Sequence, residues 1–389
     1  MGQETRNTLL HLSLVSGIGP ATAEKIVQKL SLQELEQIYR FARRDLAYIL
    51  QLSETLVDKI FTGLRDSKLL ETELSLLEKY KINWLTVHDS EYPILLKQTH
   101  LPPTILYYQG SPLSTHEKTV AMVGSRASDN YGQQVVQKLV PELCTAGYSL
   151  VSGGALGIDT HVHREVCAAG GKTVVVLGSG LLKAYPSSNK SLFESIRQNN
   201  GTIVSSFSLE TGARPENFPA RNRIISGLSR SCVVIQAGIP SGALITAQFA
   251  LDQGREVGAV PGPITSLLSI GCHKLLSEGA AVITQAADIR ALCGEAITLP
   301  QKLSVLKKVP EQDAPQVVSG QADIFQLETD KKSEDPVKKN ILKRAQKPIS
   351  IDELRAHLNL DQESLEAILW NLELEGMVKQ DFIGLWQAI

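Results

Sequence analysis

Val120-Ala121-Met122-Val123-Gly124-Ser125-Arg126 is an apolar run that stops on a glycine, a hydroxyl and a guanidinium. Four consecutive apolar residues suit a strand buried on both faces, as in a parallel sheet. The arrangement recurs downstream. Ser149-Leu150-Val151, Thr173 through Leu177, Thr202-Ile203-Val204, Cys232 through Ile235, Val257-Gly258-Ala259-Val260 and Ala281-Val282-Ile283 are separated by helix-length segments. β-Branched runs at that spacing mark βαβ units. The sequence therefore predicts an α/β fold: a Rossmann-like, doubly wound, mostly parallel sheet.

Working outward, the pattern changes on both sides. Residues 1–80 carry leucines at helical spacing, broken at Ser16-Gly17-Ile18-Gly19-Pro20 and at Gln51-Leu52-Ser53. They are expected to form a helical domain. The core is expected over 81–296, opening with an extended, turn-rich segment from Ile82 to Gly110. Residues 297–335 are rich in Pro, Gln, Asp, Lys and Ser and read as a linker. Residues 336–389 read as helix, helix, hairpin, a winged-helix pattern, with Ser350 and Glu353 spaced for a capping box.

Composition narrows the classes of function. Of 389 residues, 43% are hydrophobic, enough for a large core and against global disorder. The net charge of −2 excludes a bulk polycation, so any nucleic-acid site must concentrate positive charge locally. Aromatic content is 5%, so a broad base-stacking platform is not expected. Cys144, Cys167, Cys232, Cys272 and Cys293 are scattered, without a C-x-x-C pair, which argues against disulfides or a zinc site. No signal pattern opens the chain, and no apolar run approaches the roughly 20 residues that span a bilayer. A cytoplasmic protein without membrane contact or cofactor is expected.

In a doubly wound sheet, ligands bind beyond the carboxyl ends of the strands. Gly124-Ser125-Arg126, Gly153-Gly154 and Gly178-Ser179-Gly180 all fall there. Glycines admit close backbone approach to a phosphate, and Arg126 adds a fork of donors. Phe218-Pro219-Ala220-Arg221-Asn222-Arg223 sets two arginines at a helix start, where their charge opposes the helix dipole and calls for a compensating anion. Glu210 or Glu216 could pair with them on the surface. Ser241-Gly242, followed by Thr246, begins another helix with hydroxyls and a glycine.

These blocks resemble the DNA-processing protein A family (DprA, also called Smf). Gly124-Ser125-Arg126 with Tyr131-Gly132, Ser152-Gly153, Gly157-Ile158-Asp159 with His163, Tyr185-Pro186 with Asn189, Phe218-Pro219 with Arg221-Asn222-Arg223, Ser241-Gly242 with Thr246-Ala247, and Val260-Pro261-Gly262 follow the family's order over roughly 85–290. The resemblance implies a protein that is not an enzyme. It would bind single-stranded DNA in a positive pocket at the sheet edge, protect it, and load the RecA recombinase in natural transformation, as a homodimer. It implies phosphate contacts from Ser125, Arg126 and Lys190, close backbone approach at Gly124, Gly153 and Gly154, and a pocket shaped by Arg221, Asn222, Arg223, Ser241, Gly242 and Thr246. Two guanidiniums engaged internally around Asn222, or a blocked rim, would count against this. Two positions depart from the pattern: Leu156 replaces the usual Arg, and Gln236 stands where an acid is usual.

The outer units are less telling. Leu14 through Ile26 resembles a helix–hairpin–helix, whose glycine turn exposes N–H groups to DNA; a plain packing turn is the alternative. The second helix of the winged unit carries Asp361, Glu363, Glu366, Glu373 and Glu375 without Lys or Arg from 361 to 376, so a protein partner is expected rather than duplex DNA, with a purely structural appendage as the alternative. Gly171-Lys172-Thr173 precedes a strand and lacks the first P-loop glycine. Asp159, His161 and His163 are expected to be an N-cap and surface histidines rather than metal ligands. The rival function is a Rossmann-like enzyme that hydrolyses the glycosidic bond of nucleoside monophosphates, recruiting Glu210 and Arg126.

Overall fold

The computed structural model describes residues 2–295 and, towards the end of the chain, 336–347, 349–358, 365, 368–369, 372, 377–380 and 386–388. The segment expected as a linker, and Asp361, Glu363, Glu366, Glu373 and Glu375, lie outside the described residues. The chain divides into two compact units, residues 1–303 and 304–389.

The first unit is built on a nine-stranded sheet of order β1-β2-β6-β5-β4-β3-β7-β8-β9. Its strands are β1 (Asn83–Thr86), β2 (Ile105–Gly110), β3 (Thr119–Val123), β4 (Ser149–Ser152), β5 (Lys172–Val176), β6 (Thr202–Ser205), β7 (Ser231–Val234), β8 (Glu256–Ala259) and β9 (Ala281–Val282). β3 to β9 run parallel; β1 and β2 join antiparallel at one edge. Every apolar run singled out in the sequence becomes a strand. The alternation within each run shows why. Ala121, Val123, Cys232 and Val234 pack into one core layer, and Val120, Met122, Val233 and Ile235 into the opposite one. Burying one such side chain stabilises the fold by about 1.5–3 kcal/mol, so a run apolar on both faces needs helices on both faces.

Six helices precede the sheet: α1 (Gln3–Leu14), α2 (Pro20–Lys29), α3 (Leu32–Glu36), α4 (Arg43–Leu50), α5 (Glu54–Gly63) and α6 (Ser67–Lys79). Leu9, Leu10 and Leu77 from this group share a core with Ile105 and Tyr107 of β2. Glu73 of α6 accepts from the Leu209 N–H at 2.9 Å, tying the helices to the loop after β6. α7 (Ile94–Lys97) lies between β1 and β2, α8 (Asn130–Thr145) follows β3, α9 (Ile158–Ala168) follows β4 and α10 (Lys190–Gln198) follows β5. Then come α11 (Asn217–Gly227), α12 (Gly242–Asp252), α13 (Ile270–Ser277) and α14 (Ala286–Leu292).

The second unit contains α15 (Pro336–Arg344), α16 (Ile351–Leu358) and the antiparallel pair β10 (Val378–Gln380) and β11 (Trp386–Ala388). The capping box forms as the spacing predicts: Glu353 accepts from the Ser350 N–H at 3.1 Å and its own N–H donates to Ser350 Oγ at 3.3 Å. Trp386, Leu354, Ile341 and Val378 form its core.

Candidate nucleic-acid interface

A cleft of about 620 Å³ lies beyond the carboxyl ends of β3, β4 and β7. Three walls converge on it: Gly124 through Ala127 after β3, the start of α11, and Gly238 through Thr246 leading into α12. Gly124, Ser125, Arg126, Arg221, Asn222, Ser241, Gly242 and Thr246 all line it. Local chemistry explains how. Ser125 donates its N–H to the Gln236 carbonyl at 2.8 Å and accepts from the Ile158 N–H at 3.1 Å, clamping the β3 loop between β7 and α9. Ser241 caps α12 by accepting from the Ala243 N–H at 3.2 Å. A Cβ on Gly242 would meet open space, so this helix start is accessible. Asn222 and Thr246 both donate to the Gly242 carbonyl, at 3.3 and 3.2 Å, fixing α12 against α11. An eleven-residue helix with an open first turn presents unpaired N–H groups and partial positive charge.

The two arginines around Asn222 part company. Arg221 is buried, 4.0 Å from the buried Asp159 carboxylate, and Arg223 turns to the opposite face of α11, where it donates to the carbonyls of His100 and Leu101. Arg221 is thus engaged internally and Arg223 is directed away from this cleft, against the expectation that they face the ligand together. The partner of Arg221 is Asp159, and neither Glu210 nor Glu216. Burial draws the Arg221 guanidinium down to about 10 and lifts the Asp159 carboxyl above its ordinary value. The rim is nevertheless open, and Arg126, exposed, is the uncompensated charge among the lining residues. Its guanidinium lies 5.1 Å from the centre of the Phe218 ring.

Four further expectations change. Gly153 and Gly154 are buried and do not line the cleft. Gly153 donates to Asp159 at 3.1 Å, and a Cβ there would sit on the Arg221 guanidinium, so its close backbone approach is to Arg221. Gly154 has φ +65° and backs onto Val175 and Phe193. Lys190 is exposed at the start of α10, outside the cleft; its neighbour Asn189 is the structural residue, donating to the Gly154 carbonyl at 3.0 Å. Asp159 lies within α9, whose N-cap is Gly157, and braces the Gly153 turn instead. His163 is fully buried, not a surface residue, with Nδ1 2.8 Å from Thr173 Oγ1.

The low aromatic content gives no expectation that Phe218 and Tyr185 pair. Their rings meet edge to face at 6.2 Å at the cleft margin, and half of Tyr185 is exposed. Phe218-Pro219 was visible as a signal, but only the fold pairs it with Tyr185 and Arg126. Leu156, where the family's Arg is missing, is 49% exposed.

Residues 83–294 match the family described as DNA recombination-mediator protein A, and residues 328–381 match the DprA winged helix domain. The chain belongs to the DprA family. Protein Smf of Synechocystis sp. is 32% identical over 95% of both chains. The DNA processing protein DprA of Streptococcus pneumoniae is 39% identical over 214 residues, 55% of this chain and 75% of the relative. The X-ray structure of that DprA superposes with a TM-score of 0.65 at 33% identity, covering 73% of this chain and 97% of the other. The DprA fold over the sheet and the winged helix at the end of the chain agree with the α/β, Rossmann-like architecture expected from the apolar runs. Among the described residues, no helix is long and apolar enough to cross a membrane, and no cluster of His, Cys, Asp or Glu could hold a metal.

Proposed function

We propose that this DprA-family protein binds single-stranded DNA in the cleft between β3, α11 and α12, without cleaving it. The observation that carries the reading is the combination at the cleft: Arg126 stacked on Phe218, opposite the open amino-terminal turn of α12. A guanidinium and a helix start both suit a phosphate, and the Phe218–Tyr185 pair gives an adjoining base a π-face. A cleft of this size suits one or two nucleotides of an unpaired strand and is too small for a duplex.

Against glycosidic hydrolysis stands the carboxylate inventory. Asp159 is the carboxylate among the lining residues, and it is held by Arg221. Glu210, which that chemistry would recruit, does not line the cleft. We further propose that the strand is protected and passed to the RecA recombinase during natural transformation, in the cytoplasm and by a homodimer. Membership of a family of recombination mediators supports the hand-off. The acidic sequence over 361–376 supports a protein partner for the winged helix.

Mobility shift with labelled oligonucleotides tests the reading. Single strands should be retarded, and a duplex of the same sequence should not be. Equal retardation of both, or release of free base from a nucleotide, would overturn it.

A further inference from the structure

α11 separates two clefts. Phe218, Pro219, Arg221, Asn222 and Ile225 face the one just described. Ala220, Arg223 and Ile224, on its opposite face, line a second cleft of about 380 Å³. This second cleft lies at the same rim of the sheet. Ser206 follows the carboxyl end of β6, and Thr104 precedes β2, whose Tyr107 pairs with Ser205. Its far wall is the turn between α1 and α2, including Gly19.

The chemistry of this cleft suits an anion. None of the described residues that line it is acidic, and Arg223 is its cation. One nitrogen of that guanidinium, Nη2, is fixed by the carbonyls of His100 and Leu101, while Nε and Nη1 have no hydrogen-bond partner among the described residues. The guanidinium is thus pre-oriented with its Nη1 donors uncommitted, which lowers the entropic cost of gripping an oxyanion oxygen. Ser206, Thr104 and Thr211 also line this cleft and add hydroxyl-bearing side chains to it. A Cβ on Gly19 would meet open space, so a ligand backbone can approach the turn closely.

We propose that a single strand held in the first cleft continues past the amino-terminal half of α11 into the second, where a backbone phosphate meets Arg223. This rests on single-strand binding at the first cleft. An α-helix with its side chains is about 10–12 Å across, a gap that an extended strand bridges in a few nucleotides. The two arginines around Asn222 then serve different stations: Arg221 braces the first cleft from inside, and Arg223 receives the strand in the second.

Arg223→Ala also removes a brace on the 100–101 backbone, so two other variants carry the test. Gly19→Asp places a carboxylate at the far wall; Gly19 is the α2 N-cap in extended conformation (φ −97°), a position Asp favours. Ser206→Asp places one on the near wall, at a half-exposed residue. Fluorescence anisotropy would be measured with oligothymidylates from about 4 to about 16 nucleotides, the usual span of single-strand site sizes. The wild type should gain affinity with length. In both variants the longer oligonucleotides should bind about tenfold more weakly, with the shortest bound oligonucleotide unaffected. Unchanged length dependence in both variants, or an equal loss at every length, would overturn the proposal while leaving the first cleft standing. Thymidine monophosphate titrated into protein saturated with the shortest oligonucleotide gives the other arm: uptake that Ser206→Asp abolishes would make this a nucleotide site, and the strand path would be wrong. Failure of the wild type to bind any oligonucleotide would instead remove the function proposed for the first cleft.

Discussion

The Arg221 guanidinium lies over the Gly153 backbone, 4.0 Å from the Asp159 carboxylate, with both side chains less than a tenth exposed. Asp159 in turn accepts from the N–H groups of Gly153 and Ala155, so one buried ion pair joins α9, α11 and the loop after β4 behind the cleft.

Breaking that pair should be costly. Asp159→Asn leaves a buried guanidinium without its counter-charge, a change worth about 3–5 kcal/mol. Urea denaturation should show the loss, and Asp159→Asn combined with Arg221→Met should recover part of it. A single Asp159→Asn variant as stable as the wild type would mean that the pair does not hold the cleft together.

Arg126 should behave in the opposite way. It is exposed, so Arg126→Ala should leave stability within about 0.5 kcal/mol. Single-strand binding should weaken by about 1–3 kcal/mol, and the slope of log affinity against log salt should fall by roughly 0.7, the contribution of one phosphate. Anisotropy titrations at several salt concentrations measure both. Unchanged affinity would remove Arg126 from the interface.

Gln236 accounts for one departure from the family pattern. It is buried and donates to Asp129 Oδ1 at 2.8 Å, while Asp129 caps α8 by accepting from Gly132 at 3.1 Å. The Gly132 N–H, followed by Gln236, helps hold the Asp129 carboxyl below its ordinary value. Gln236→Glu replaces that donor with a second carboxylate. Stability at pH 7 should fall by about 1–3 kcal/mol and recover partly near pH 5, as the introduced acid takes up a proton. Equal stability of the two proteins at pH 7 would show that the contact is dispensable.

Burial, reinforced by Arg221, pushes His163 down to about 3. The folded pKa lies below the unfolded value of about 6.5, so on acidification the unfolded chain gains a proton first. The stability contributed by neutral His163 is complete above that value and falls as pH drops towards 3, by up to about 1.4 kcal/mol per pH unit. Between pH 7 and pH 5, the unfolding free energy of the wild type, measured by urea denaturation, should therefore fall more than that of His163→Asn. The difference should be about 2 kcal/mol. Parallel pH profiles would contradict this origin.

Much of the architecture could be read without coordinates. Strands apolar on both faces demand a covered parallel sheet, and the Ser350–Glu353 spacing demands a helix start. Both requirements act within a few residues of the chain. The loops that line the cleft were legible for a related reason, because the carboxyl ends of parallel strands collect on one rim. Gly124, Ser125, Arg126, Ser241 and Gly242 each follow a strand closely enough to be placed there.

What spacing does not encode is which side chains meet across the sheet. Arg221 and Asp159 are 62 positions apart, and their pairing follows from α9 and α11 approaching one another. Arg223 is two residues from Arg221, yet about half a helical turn separates their directions, and that rotation sends one guanidinium to each cleft. Gly153 reads as phosphate-binding until Arg221 is seen to occupy the space above it. The amino-acid sequence determined by itself where strands, caps and glycine turns lie, because those depend on local periodicity and backbone freedom. Only the tertiary structure decided which charges are paired and buried and which stand open to a ligand, because charge compensation depends on distance in space.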